Sequence, residues 1–219
     1  MSDEPNKNTQ QEEKERTYAG MSRRTLLIGA GGAAVALGLG TLKPLAANAV
    51  VRPPGGQDED LMLGACIRCE KCIEACPRRV IAPTHVEDGF INLRTPTMDY
   101  ALDYCDWCTE ENDGVPLCVA ACPTQALKLP ADATPENTIL GIAEINKDWC
   151  LAYRFKGCRF CYDACPYEAM EMDENNIPHV IEDKCNGCGL CYTVCVSMQD
   201  ASVVAGMTDR AIVVKPIER

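Results

Sequence analysis

The chain has 219 residues, 16 cysteines and a formal charge of −11 at pH 7. An acidic balance of that size excludes a nucleic-acid binder, which needs a basic surface to meet phosphates. With only 2 Trp, 7 Tyr and 3 Phe against 16 Gly and 14 Pro, the fold must be turn-rich. Its interior must be organised by something besides large apolar side chains.

The first element is a targeting segment rather than part of the fold. Residues 1–21 are polar and carry both signs, and Ser22-Arg23-Arg24 with Leu26 and Leu27 then resembles the twin-arginine export signal of bacteria. No charge occurs between Arg24 and Lys43, and the run ends in Ala47-Asn48-Ala49, an A-x-A cleavage pattern. Cleavage after Ala49 is expected, which makes 1–49 the signal and sends the remainder to the periplasm. The competing reading is an uncleaved anchor, for which the 18 uncharged residues and their glycines are short and weakly apolar.

Beyond the signal the cysteines fall into four groups of four. In chain order they are Cys66, Cys69, Cys72 and Cys76 in "CIRCEKCIEACP"; Cys105, Cys108, Cys118 and Cys122 in "CDWCTEENDGVPLCVAACP"; Cys150, Cys158, Cys161 and Cys165 in "CLAYRFKGCRFCYDACP"; and Cys185, Cys188, Cys191 and Cys195 in "CNGCGLCYTVCV". Each group ends in C-x3-C, and Pro follows all but the last, where Val196 stands. The flanks repeat as well. "GIAEINKDWC" and "PHVIEDKC" place an extended apolar stretch ahead of a group, and "CPTQALKL" and "CPYEAMEM" predict a short helical turn and then a strand. The expected fold class is α+β, with two ferredoxin-like modules forming a polyferredoxin.

The spacing points to one chemistry. A cubane [4Fe–4S] cluster needs a thiolate at each of four iron corners. C-x2-C-x2-C lets one loop wrap three corners, and the cysteine before Pro serves the other cluster of a two-cluster module. Four clusters are therefore expected, with all sixteen cysteines as ligands. A disulfide scaffold and structural zinc are the alternatives. Disulfide domains need no such triplets, and zinc sites typically use paired C-x2-C elements. Export of a folded, cofactor-loaded protein is what the twin-arginine route is known for, so signal and cysteine pattern agree.

Pairing of the groups is less constrained. Groups two and three both carry inserts, nine residues between Cys108 and Cys118 and seven between Cys150 and Cys158. Pairing like with like gives a nested arrangement, with an outer module of residues 50–98 and 178–219 and an inner module of 99–177. The ligand sets would then be Cys66, Cys69, Cys72 and Cys195; Cys185, Cys188, Cys191 and Cys76; Cys105, Cys108, Cys118 and Cys165; and Cys150, Cys158, Cys161 and Cys122. Sequential pairing, one with two and three with four, is the rival. The insert "TEENDGVPL" reads as a solvated acidic loop or a docking site, His85 and His179 as structural or surface residues, and Trp107 and Trp149 as shields against water.

The twin-arginine start, "VRPPGG" after the cleavage pattern, "CIRCEKCIEACP", the seven-residue gap after Cys150 and the Pro-less fourth group together resemble the NapG/MauM ferredoxin-type family. That resemblance covers nearly the whole chain. It implies an electron carrier between a membrane-bound iron–sulfur, quinol-oxidising protein (NapH-like) and a periplasmic reductase, in nitrate reduction or, for MauM-like members, methylamine utilisation. Membrane association would come through that partner or an uncleaved signal. No dinucleotide loop or nucleophile–base set suggests a catalytic site or a small-molecule substrate. The competing function is the iron–sulfur subunit of another periplasmic oxidoreductase.

Overall fold

The structure is a computed structural model that describes residues 48–108, 110–155, 157–198 and 206–217. The expected export signal, apart from Asn48 and Ala49, lies outside the described residues. No helix among the described residues is long and apolar enough to cross a membrane.

Among the described residues secondary structure is short, as a chain folded around sulfur requires. The order is α1 (Glu59–Ala65), α2 (Lys71–Glu74), β1 (Ile81–Pro83), β2 (Pro96–Met98), α3 (Leu117–Ala120), β3 (Ile142–Ile145), α4 (Leu151–Phe155), α5 (Phe160–Ala164), β4 (Met170–Met172), β5 (Pro178–Val180), α6 (Leu190–Thr193) and β6 (Ile212–Lys215). The strands form three separate antiparallel pairs, β1 with β2, β3 with β6, and β4 with β5. β3 and β5 are the two apolar stretches expected ahead of groups three and four.

The helices depart from expectation. α2, α3, α5 and α6 each carry the third cysteine of a group and end before the fourth, and the segment after Cys-Pro is a turn. The cause is visible in the backbone. Arg79, Gln125 and Glu168, each three residues beyond Cys76, Cys122 and Cys165, hold φ of +54°, +56° and +49°. A left-handed residue cannot continue a right-handed helix, so the chain reverses there. β4 then follows the third group, whereas after the second group the chain instead runs past Gly55, whose carbonyl accepts from Lys128 N–H at 2.8 Å.

Chain pairing is sequential, not nested. β3 and β6 zip Ile142 to Lys215 and Ile145 to Ile212, which closes groups three and four into one module. The first module is held by a buried cation at its entry. Arg52, 3 % exposed, donates from Nη1 to Thr95 Oγ1 at 2.7 Å and to the Pro96 carbonyl at 2.9 Å. Its Nη2 reaches Asn92 Oδ1 at 2.9 Å, and Nε reaches Glu59 at 2.9 Å. Every polar face of this guanidinium is thus paired, as burial of a charge demands.

Candidate metal-cluster sites

The local backbone explains how each group presents sulfur inward. In group one, Arg68 and Glu70 hold φ of +57° and +62°; at the same offsets in group four, Gly187 and Gly189 hold +77° and +85°. Alternation into the left-handed region turns successive amide N–H groups toward one concave side, the geometry that favours an anionic guest. Each loop then enters a one-turn helix that carries the third cysteine.

All sixteen cysteines are free thiols. Four quartets emerge. Cys66, Cys69 and Cys72 share one cavity with Cys122. Cys105, Cys108 and Cys118 share a second with Cys76. Cys150, Cys158 and Cys161 share a third with Cys195. The fourth set, Cys185, Cys188 and Cys191, faces Cys165. The crossover by the fourth cysteine is therefore present, but between neighbouring groups. This corrects the nested ligand sets, in which Cys195, Cys76, Cys165 and Cys122 were each assigned to a different triplet. The inserts that suggested nesting are local: the gap after Cys150 is largely α4, and the gap after Cys108 is an exposed loop.

The quartets form a row. Cys118 faces Cys72 across the first module, and Cys191 faces Cys161 across the second. Between modules, Cys105 N–H donates to the Cys188 carbonyl at 2.8 Å. Tyr100 is buried at this junction, donates its hydroxyl to the Gly187 carbonyl and faces Cys105, Cys188, Cys191 and Cys185. The outer quartets are thus those completed by Cys122 and Cys195, and the inner ones those completed by Cys76 and Cys165.

Electrostatics of the thiols show what the sites require. Burial, with backbone amides opposing it and the thiol of Cys108 adding, pushes Cys105 up to about 12; burial and then Cys150 and Cys158 push Cys161 up to about 12. Cys72 and Cys188 rise to about 11, again through burial first. Four thiolates in one buried cavity repel one another and need a strongly cationic partner. Amides already aim at sulfur, with Leu127 N–H to Cys122 Sγ at 3.5 Å, Ala169 N–H to Cys165 at 3.3 Å and Ala143 N–H to Cys185 at 3.5 Å. At Cys122 such bonds outweigh burial and lower the thiol's pKa. The donor set, four sulfurs around a space rather than a point, fits one thiolate per iron corner.

Neighbouring residues fall where their chemistry allows. Trp107 is buried beside Cys108 and donates Nε1–H to the Gly114 carbonyl at 3.0 Å, closing the acidic insert into a loop. Trp149 packs against the cluster of Cys150, Cys158 and Cys195. His85 is exposed and caps a 3₁₀ turn, and His179 lies 3.4 Å from Asp173 on β5. A groove of about 910 Å³ is bordered by Asp58, Glu59, Asp60, Asp132 and Lys128, with no cysteine in its lining. Tyr100, Thr124 and Ser197 line or bridge the sulfur sites. Thr124 and Ser197 left a trace in the sequence, a hydroxyl residue two positions beyond the last cysteine of groups two and four.

Comparison with known proteins follows the same division. Residues 65–126 match one 4Fe-4S dicluster domain and residues 143–201 another, each containing two adjacent groups. The chain is 31 % identical over 194 residues to the ferredoxin-type protein NapG of Escherichia coli (strain K12), covering 81 % of each. It is 33 % identical over 169 residues to the methylamine utilization ferredoxin-type protein MauM of Methylophilus methylotrophus, covering 73 % of this chain and 72 % of that one. The MauM of Methylorubrum extorquens is 34 % identical over 161 residues, covering 69 % and 70 %.

Proposed function

The chain belongs to the NapG/MauM family of ferredoxin-type iron–sulfur electron-transfer proteins, and from that premise we propose that it carries four [4Fe–4S] clusters as a linear wire. The ligand sets are Cys66, Cys69, Cys72 and Cys122; Cys76, Cys105, Cys108 and Cys118; Cys165, Cys185, Cys188 and Cys191; and Cys150, Cys158, Cys161 and Cys195. The single observation that carries this reading is the row of four quartets, joined at its centre by the Cys105–Cys188 backbone bond. When bound, each cluster supplies one-electron redox chemistry. The protein's own part is to space the sites, exclude water with Trp107 and Trp149, and offer amide N–H groups to sulfur.

In this reading the protein is exported by the twin-arginine route and works in the periplasm. It takes electrons from a membrane quinol-oxidising iron–sulfur protein and passes them to a periplasmic reductase, nitrate reductase in the reading that the NapG relatives favour. The MauM matches are equally close, and a role in methylamine utilisation is the second reading they support.

Anaerobic purification of the exported chain with iron counting and EPR tests the cofactor claim. About sixteen irons per chain, four per cubane site, is expected, and about four zincs with no EPR signal would overturn it. Membrane vesicles supplied with quinol then test the direction. The reduced signal should appear with a membrane iron–sulfur partner present and not in vesicles lacking it; reduction independent of that partner would remove the quinol-side assignment.

A further inference from the structure

Ser197 is 1 % exposed and lines the same cavity as Cys150, Cys158, Cys161 and Cys195. Its hydroxyl lies 3.2 Å from Cys195 Sγ and also accepts a hydrogen bond from Ala211 N–H at 2.8 Å. A hydroxyl has one proton to give. Cys195 ligating as a thiolate has no proton to give, so at this contact the Ser197 hydroxyl is the donor, with a lone pair left for Ala211 N–H. The outer quartet of the first module repeats the device in weaker form. Thr124 lines the cavity of Cys66, Cys69, Cys72 and Cys122, with its hydroxyl 3.8 Å from Cys122 Sγ.

The inner quartets are built differently at the same offset. Two residues beyond Cys76 stands Arg78, whose Nε donates to Asp106 at 2.6 Å. Two residues beyond Cys165 stands Tyr167, whose hydroxyl lies near Asn186. The hydroxyl-to-sulfur contact thus marks the two ends of the row.

We propose that Ser197 and Thr124 set the redox potential of the two outer sites, by donating hydroxyl hydrogen bonds to the crossover sulfurs Cys195 and Cys122. The inference rests on the four-cluster reading above. Reduction adds one electron to a site already ringed by four thiolates. A donor to one of those sulfurs stabilises the more negative state and raises the potential. Ser197, buried and at the shorter distance, has the larger effect. These are positioning residues, since neither is a ligand.

The test is an EPR-monitored redox titration of the loaded full chain with dithionite as reductant, with iron counted in every sample. Ser197→Ala should shift one of the four transitions to lower potential and leave the other three in place, and Ser197→Thr should restore it. Thr124→Val keeps the β-branched shape, and its hydroxyl serves no other backbone donor among the bonds described. It should shift a different transition, in the same direction and by less. Because Ala211 N–H loses its acceptor in Ser197→Ala, Thr124→Val keeps the inference testable if that variant loses iron. Full iron with all four transitions unmoved in Thr124→Val, or in Ser197→Ala, would overturn the proposal for that residue. A wild-type chain that fails to hold about sixteen irons, four per site, would instead overturn the reading on which it rests.

Discussion

The two modules solve one problem with different amounts of secondary structure. In the second, β3 and β6 join its two ends and the β4–β5 hairpin bridges groups three and four, so backbone ladders set the distance between sulfur loops. In the first, the only ladder among the described residues is the three-residue β1–β2 pair. There the long stretch between Cys76 and Cys105 is tied down by polar side chains, with Arg52, Asn92, Thr84 and Thr95 all buried. A ladder specifies register along its whole length, whereas a buried polar cluster specifies one point and fails if any member is lost. The first module should therefore be the one more easily dismantled by a single substitution away from sulfur.

The largest effects test the pairing itself. Cys69→Ser and Cys122→Ser should each remove one cluster, about four irons, from the first module. Because both serve one quartet, the double variant should lose no more iron than either single variant, the signature of residues acting as a unit. Cys69→Ser combined with Cys195→Ser should lose about eight irons, two cubane sites. Under nested pairing these outcomes would exchange: Cys69 and Cys195 would then share a site, and Cys69 and Cys122 would not. Iron per chain, measured on each pair, decides between them.

The next test falls on the asymmetry between the modules. Arg52→Ala removes the cation that pairs Glu59, Asn92, Thr95 and the Pro96 carbonyl. Leaving several buried partners unmet should cost about 3 kcal/mol. Arg52→Lys should recover little, because a single ammonium cannot span the same fork of acceptors. Thermal release of iron at a fixed scan rate should come earlier and in two steps, the first module preceding the second. Loss of all iron in a single unchanged step would show that the network does not hold the first module alone.

Much of this organisation is written in the cysteines, and what is not written there is instructive. The ligand type, the number of sites and the crossover follow from spacing, because one loop of C-x2-C-x2-C can reach only three corners of one object. The strand at Ile142–Ile145 follows from the extended, mostly apolar stretch ahead of group three, broken there by Glu144. The partner of each group was hidden because insert length looked like a family likeness between groups two and three. Insert length is set by each loop's own path, through α4 in one case and a solvent-exposed turn in the other. Pairing is set by chain economy, which favours neighbours in sequence. The position of the helices was hidden for a different reason. Pro after the last cysteine suits a helix start, but the left-handed Arg79, Gln125 and Glu168 that stop it are ordinary residues with no signal of their own. The buried role of Arg52 was equally silent, since its partners lie some forty residues away at Asn92 and Thr95.

A third test addresses the seam where the modules meet. Gly189 holds φ +85°, and a Cβ there would fall 1.9 Å from the Tyr100 ring. Gly189→Ala should cost about 1–2 kcal/mol for the left-handed backbone alone, and it must also push Tyr100 out of the junction. Iron content should stay near wild type, while magnetic coupling between the inner sites weakens as the modules part. Coupling and iron release both unchanged would mean that the seam accommodates the methyl group and that Tyr100 does not fix the spacing.

The smallest effect isolates the hydrogen bond from the packing at that same seam. Tyr100→Phe keeps the ring against Gly189 and deletes only the hydroxyl that donates to the Gly187 carbonyl. With the ring in place, the loss should be about 1 kcal/mol. The inner sites should keep their separation, because the Cys105 N–H to Cys188 carbonyl bond beside it is backbone and survives. A modest drop in the temperature of iron release with unaltered magnetic coupling is therefore expected. A loss of coupling as large as that of Gly189→Ala would place the control of inter-module spacing in the hydroxyl rather than in the ring, and would make the junction a hydrogen-bonded hinge instead of a packed one.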